Sequence, residues 1–72
     1  MIKVKKIKIK INGKFLKVNE NLSLSVFLKL LKIPLKKVAI ELNQEIIDKN
    51  KINKIKLKKN DKIEIVHFIG GG

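Results

Sequence analysis

The 72-residue chain carries 18 lysines, no arginine, six acidic residues and a net charge of +12, with no cysteine and a single histidine, His67. A domain of this length buries only about 60% of its unfolded surface, which leaves room for one core and excludes a deep catalytic cleft or a second domain. With disulfides excluded and metal ligands nearly absent, burial of Ile, Leu and Val must carry the fold. No apolar run approaches the roughly 20 residues of a membrane span, and the alternation of Ile and Lys at the N-terminus is unlike a secretory leader, so the sequence predicts a cytoplasmic protein.

Residues Val4 to Ile11 alternate, with Ile7, Ile9 and Ile11 on one side and Lys8 and Lys10 on the other. This predicts a strand with one buried face. Asn12-Gly13 follows, a pair that tolerates the two positive φ values of a type I′ turn, so Lys14 to Val18 is expected to return antiparallel. After Ser23, a good N-cap, Leu24, Phe27, Leu28 and Leu31 recur at spacings of three and four. They predict a helix of about two to three turns, ended by Pro34, with Val26 and Leu30 widening its apolar stripe. Val38 to Leu42 alternates as a further strand, and Asn43-Gln44 turns it into a short one, Glu45 to Asp48. Lys49 to Lys59 is polar, with Ile52, Ile55 and Leu57 as spaced anchors, and suits a connecting loop with one helical turn. Asn60-Asp61 is a turn, and the last strand, Lys62 to Ile69, runs straight into Gly70-Gly71-Gly72.

The order strand, strand, helix, strand, strand, strand predicts an α+β fold, a mixed sheet of about five strands with one main helix packed on one face. The first and last strands lie side by side in the middle, and the crossover through the helix is right-handed. Ile7, Ile9, Leu24, Phe27, Leu28, Leu31, Ile40 and Ile63 form the expected core. The domain spans 1–69, and 70–72 form a flexible tail.

The charge invites a nucleic-acid reading, because clustered cations release counterions from phosphates. Against it, every cation is Lys, whereas Arg suits bidentate phosphate and guanine contacts. Lys, Ile and Asn together make up 38 of the 72 residues, the mark of a bias toward A- and T-rich codons, so the lysines form a solvated coat. Phe15, Phe27 and Phe68 are the only aromatic residues available for stacking on bases. No specific nucleic acid and no membrane is expected as a partner. The sequence also lacks any paired acid-base or nucleophilic constellation and any metal-ligand cluster, so no catalytic residue is assigned. His67 is expected on a sheet face or the surface, and Asp61 and Glu64 as turn and solvent residues.

Three segments carry a family resemblance: Ile11-Asn12-Gly13-Lys14 at the hairpin tip, Ala39 to Ile47 around Asn43, and Asp61 to Gly72, an apolar strand ending in glycines. Together they resemble the ThiS family of sulfur carriers in thiamine biosynthesis, within the ubiquitin-like β-grasp superfamily. That family has Gly-Asp before its last strand where this chain has Asn60-Asp61, and Asn is the next best residue for a left-handed position. The resemblance implies a sulfur carrier that donates sulfur to the thiamine thiazole ring. Its partners would be a ThiF-type adenylating enzyme, a ThiG-type thiazole synthase and a persulfide protein that delivers the sulfur. A molybdopterin-synthase small subunit or a ubiquitin-like modifier shares the same tail chemistry.

The chemistry of the tail follows from its carboxylate. An anionic carboxylate resists nucleophiles, so placing sulfur on Gly72 needs activation to an acyl-adenylate, with AMP as leaving group. Mg-ATP would be consumed by the partner, and no cofactor is bound here, since the chain has no cysteine and no phosphate-binding glycine loop. Gly70 and Gly71 lack Cβ and can thread a narrow channel; three extended residues reach about 10 Å. If Ile63 and Ile65 face the helix, Glu64, Val66 and Phe68 face away. Val66 and Phe68, rimmed by Lys8 and Lys10, would then form an exposed patch beside the tail where both enzymes dock in turn.

Overall fold

The computed structural model describes residues 4–68. Strand β1 (Lys6–Ile11) buries Ile7 and Ile9 and exposes Lys6 and Lys8, as its alternation requires. Asn12 and Gly13 hold φ values of 46° and 83°, so β2 (Lys14–Asn19) folds back antiparallel, with Ile7 opposite Val18 and Ile9 opposite Leu16. Helix α1 (Leu24–Leu30) starts at Ser23, whose side chain accepts the Val26 N–H at 3.1 Å.

The helix stops earlier than Pro34 demands. Lys32 takes the left-handed conformation (φ 58°), Ile33 N–H donates to the Leu28 carbonyl at 3.0 Å, and Lys32 N–H donates to that of Lys29, also at 3.0 Å. These paired bonds satisfy the last carbonyls of the helix and turn the chain away. Leu24, Phe27 and Leu28 are therefore buried, but Leu31 lies at the turn and is 40% exposed, against expectation. Val26 and Leu30 are exposed too, so they do not extend the buried stripe. A helix of two turns presents only its 24-27-28 line to the sheet.

Past a 3₁₀ turn at Leu35–Lys37, β3 (Val38–Leu42) buries Val38 and Ile40. Asn43 and Gln44 (φ 52° and 72°) turn it into β4 (Glu45–Ile46), shorter than predicted. Ile47 N–H still bonds to the Ile40 carbonyl, after which the chain leaves the sheet edge for a 3₁₀ helix at Lys49–Lys54 that pins Ile52 into the core. Leu57 is fully buried next to it. Strand β5 (Lys62–His67) then enters between β1 and β3, parallel to the first and antiparallel to the second, giving the sheet order β2-β1-β5-β3-β4. The first and last strands are neighbours, as predicted. No helix among the described residues is long and apolar enough to cross a membrane.

One expectation about the turn before β5 is corrected. Asn60 is left-handed (φ 71°) and turns the chain so that Asp61 points inward and is buried. Its carboxylate accepts the Lys58 N–H at 2.8 Å and the Asn43 side-chain amide at 3.0 Å, while the Asn43 carbonyl oxygen accepts the Lys62 N–H at 2.9 Å. Asp61 is thus a structural clasp between the β3–β4 turn and the start of β5, since a buried carboxylate needs such donors.

Leu28→Ala should lower stability by about 2 to 5 kcal/mol, because it empties fully buried volume. Leu31→Ala should cost less than about 1 kcal/mol at its half-exposed site. Thermal or urea unfolding of the two variants checks both values, and equal losses would contradict the described helix end.

Candidate functional site at the root of the tail

Strand β5 alternates across the sheet. Ile63 and Ile65 are buried under the helix, whereas Glu64 and Val66 face the side that no helix covers. Ala39 stands opposite Val66 in the β3 ladder, and its small side chain leaves Val66 50% exposed. Phe68, one residue past the strand, is 53% exposed. Its N–H donates to the Lys37 carbonyl at 2.9 Å, so the backbone stays held to its neighbour up to that residue. The Lys49 ammonium lies 5.3 Å from the centre of the Phe68 ring, within reach of a cation–π contact. His67 is exposed opposite Val38. Gly70, Gly71 and Gly72, like Ile69, lie outside the described residues.

Lys8 and Lys10 do not rim this patch. In the parallel ladder Lys10 stands level with Lys62, four residues before Val66, a separation of about 13 Å along the strand. Their ammonium groups lie instead 4.8 Å and 5.2 Å from the ring of Phe15 on β2. The cations nearest the tail root belong to the segments around Lys37 and Lys49. Lys37 could have been found from the strand order, because the start of an antiparallel β3 must meet the end of β5; Lys49 left no such signal.

The Glu64 and Glu41 side chains stand directly opposite each other on the open face. Lys62 lies 3.6 Å from Glu64 and offsets part of their repulsion. Among the described residues no three His, Cys, Asp or Glu side chains gather as a metal site. The end of β5 thus leaves the apolar side chains of Val66 and Phe68 exposed, with the backbone hydrogen-bonded as far as Phe68.

The sequence profile of the ThiS family matches residues 8–72. The "Thiazole synthase" of Paramagnetospirillum magneticum is 37% identical over 65 residues, 90% of this chain but 20% of that protein. The "Sulfur carrier protein ThiS" of Bacillus subtilis is 51% identical over 35 residues, 49% of this chain and 53% of that protein. The match thus spans about a fifth of the first of these curated relatives and about half of the second. A crystal structure of a thiamine biosynthesis protein (ThiS) from Geobacter metallireducens superposes with a TM-score of 0.81 at 30% identity, covering 92% of this chain and 100% of that one. With the family profile matching nearly its whole length and a ThiS crystal structure sharing its β-grasp fold, the chain belongs to the ThiS family.

Proposed function

We propose that this protein is a sulfur carrier for the making of the thiamine thiazole ring, acted on by partner enzymes and not itself a catalyst. The observation that carries the reading is the root of the tail. Strand β5, bonded to β1 at its start and to β3 along its length, leads toward three glycines with two apolar side chains exposed near its end. Membership of the ThiS family supports it, as does a thiazole synthase of which a fifth is similar to this domain.

In this reading the Gly72 carboxylate attacks the α-phosphate of Mg-ATP in a ThiF-type enzyme, releasing pyrophosphate and leaving an acyl-adenylate. A persulfide sulfur then attacks the acyl carbon and AMP departs. A thiol cleaves the resulting acyl disulfide, is itself oxidised to a disulfide, and leaves a thiocarboxylate on Gly72. A ThiG-type synthase takes up that sulfur. The reading takes the cytoplasm as the place of this work.

This chain contributes presentation. Gly70 and Gly71 offer no Cβ to obstruct a channel. Val66 and Phe68 supply the apolar contact that offsets the entropy of ordering the tail. Lys8 and Lys10, at the far end of β5 on the same open face, extend the surface toward acidic groups of either partner. Both enzymes use one face and so exclude each other.

Incubation with Mg-ATP, a sulfur source and the adenylating enzyme should raise the intact mass by the difference between one sulfur and one oxygen. Deletion of Gly72 should abolish the gain and leave the unfolding midpoint unchanged; a mass gain that survives the deletion would overturn the assignment. Phe68→Ala should weaken binding of both enzymes by about 1 to 3 kcal/mol. The same substitution should shift stability by less than about 1 kcal/mol, because the ring is half-exposed. Calorimetric titration and urea unfolding separate the two effects.

A further inference from the structure

The open face of the sheet is not uniform. Alternation and register place Lys6, Lys8 and Lys10 of β1 and Phe15, Lys17 and Asn19 of β2 on it, away from the helix. Over these two strands it carries no carboxylate among the described residues, whereas over β3 and β5 it carries Ala39, Glu41, Glu64 and Val66. On this face the lysines are sorted by strand.

The sorting has a local cost. Glu20 N–H bonds to the Lys5 carbonyl at 2.8 Å, and hydrogen-bonded pairs alternate along an antiparallel ladder. Lys6–Asn19, Lys8–Lys17 and Lys10–Phe15 are therefore the non-hydrogen-bonded pairs, whose side chains stand closer together. Lys8 and Lys17 thus set like charges directly opposite each other, which destabilises a sheet. The Phe15 ring relieves this in part, with the ammonium groups of Lys8 and Lys10 at 4.8 Å and 5.2 Å from its centre. Around the start of β1, Lys59 joins the group and lines a hollow of about 340 Å³ with Lys5, Lys6, Lys8 and Lys17. Glu20, the carboxylate that also lines it, lies 3.8 Å from Lys5.

A ligand that fits this surface brings negative charges in a row and a flat ring. Lys6, Lys8 and Lys10 repeat every ~6.7 Å along β1, a stride close to that between successive phosphates of an extended polynucleotide. Phe15 lies beside that row with its side chain 66% exposed. A cationic track with an aromatic platform holds single strands without regard to sequence. Lysine suits that task, because a point charge without the fork of Arg meets phosphate and reads no base. A duplex keeps its bases stacked inside and gives Phe15 nothing. An acidic peptide meets the charges but leaves the ring without a partner.

We propose that this half of the open face binds single-stranded nucleic acid without sequence preference, with phosphates along Lys6, Lys8, Lys10 and Lys17 and one base stacked on Phe15. An enzyme that reaches Lys8 and Lys10 has to displace the strand. The proposal does not rest on the sulfur-carrier reading, and its test needs neither the tail nor a partner enzyme.

The test titrates a fluorescein-labelled octathymidylate with the full chain and follows its anisotropy over a series of salt concentrations. The logarithm of the binding constant should fall against that of salt with a slope of about −2 to −3, as for three or four phosphates neutralised on a single strand. Phe15→Ala should weaken binding by about tenfold and leave the slope unchanged. Lys8→Gln should flatten the slope by about 0.7. Both side chains are exposed, so the urea midpoint of each variant should stay near that of the parent. Amide shifts in the labelled protein should concentrate on Lys6, Lys8, Lys10, Phe15 and Lys17. An abasic strand of the same length or a glutamate-rich peptide binding as tightly, a duplex binding more tightly, or Phe15→Ala without effect would overturn the proposal. So would shifts as strong around Lys36, Lys51 and Lys54, or no binding at the lowest salt.

Discussion

The parallel pairing of β1 with β5 is the constraint on which the rest of the molecule depends. It joins segments some fifty residues apart in sequence, which makes its loop-closure cost one of the largest in the fold. Four backbone and side-chain bonds seal it. Lys10 N–H donates to the Asp61 carbonyl and Asn12 N–H to that of Ile63, each at 2.9 Å; Asn60 N–H donates to the Lys8 carbonyl at 2.9 Å; and the Asn12 side-chain oxygen accepts the Ile65 N–H at 2.8 Å. Burial of Ile9, Ile63 and Ile65 beneath the helix supplies the driving force that these bonds orient. Asn12 thus serves twice, as a left-handed turn residue and as a clamp on the last strand.

From that pairing follows the division of the sheet into two faces with different work. One face is closed by α1 and the Ile52–Leu57 segment and holds the core. The other carries Ala39, Glu41, Glu64 and Val66 in the open, and β5 lies in its middle, paired with β1 at its start and with β3 along its length. Near its end β5 is held by β3 alone, through the Ala39–Val66 and Val38–His67 pairs and the Phe68 N–H bond to the Lys37 carbonyl. The lysine coat is spread over both faces and the edges, where it favours acidic partners and opposes self-association.

The locally determined elements were legible in the residues. The I′ turn at Asn12-Gly13, the Ser23 cap and the alternation of β1, β3 and β5 each rest on contacts within a few positions, and all appear as predicted. The open-face orientation of Val66 followed from the same alternation, and Phe68, one residue past the strand, is exposed. What was not legible depends on partners far away. Helix α1 ends at Leu30 because Lys32, two residues on, takes a left-handed conformation that its residue type does not announce. Asp61 is buried because Asn43, 18 positions earlier, donates to it. Lys8 and Lys10 were expected beside Phe68 because alternation gives the face of a strand but leaves the stagger between parallel neighbours open; the ladder sets Lys10 against Lys62.

The central claim is that the open face at the end of β5 is what the modifying enzymes hold while the tail reacts. Cross-saturation transfer in the complex of labelled carrier with its adenylating enzyme measures this directly, by finding which amides lie against the partner. The account predicts that the strongest transfer falls on Ala39, Val66, His67 and Phe68, with α1 silent. Transfer centred on Val26, Leu30 and Leu31 of the helix side, with Val66 and Phe68 unaffected, would contradict it.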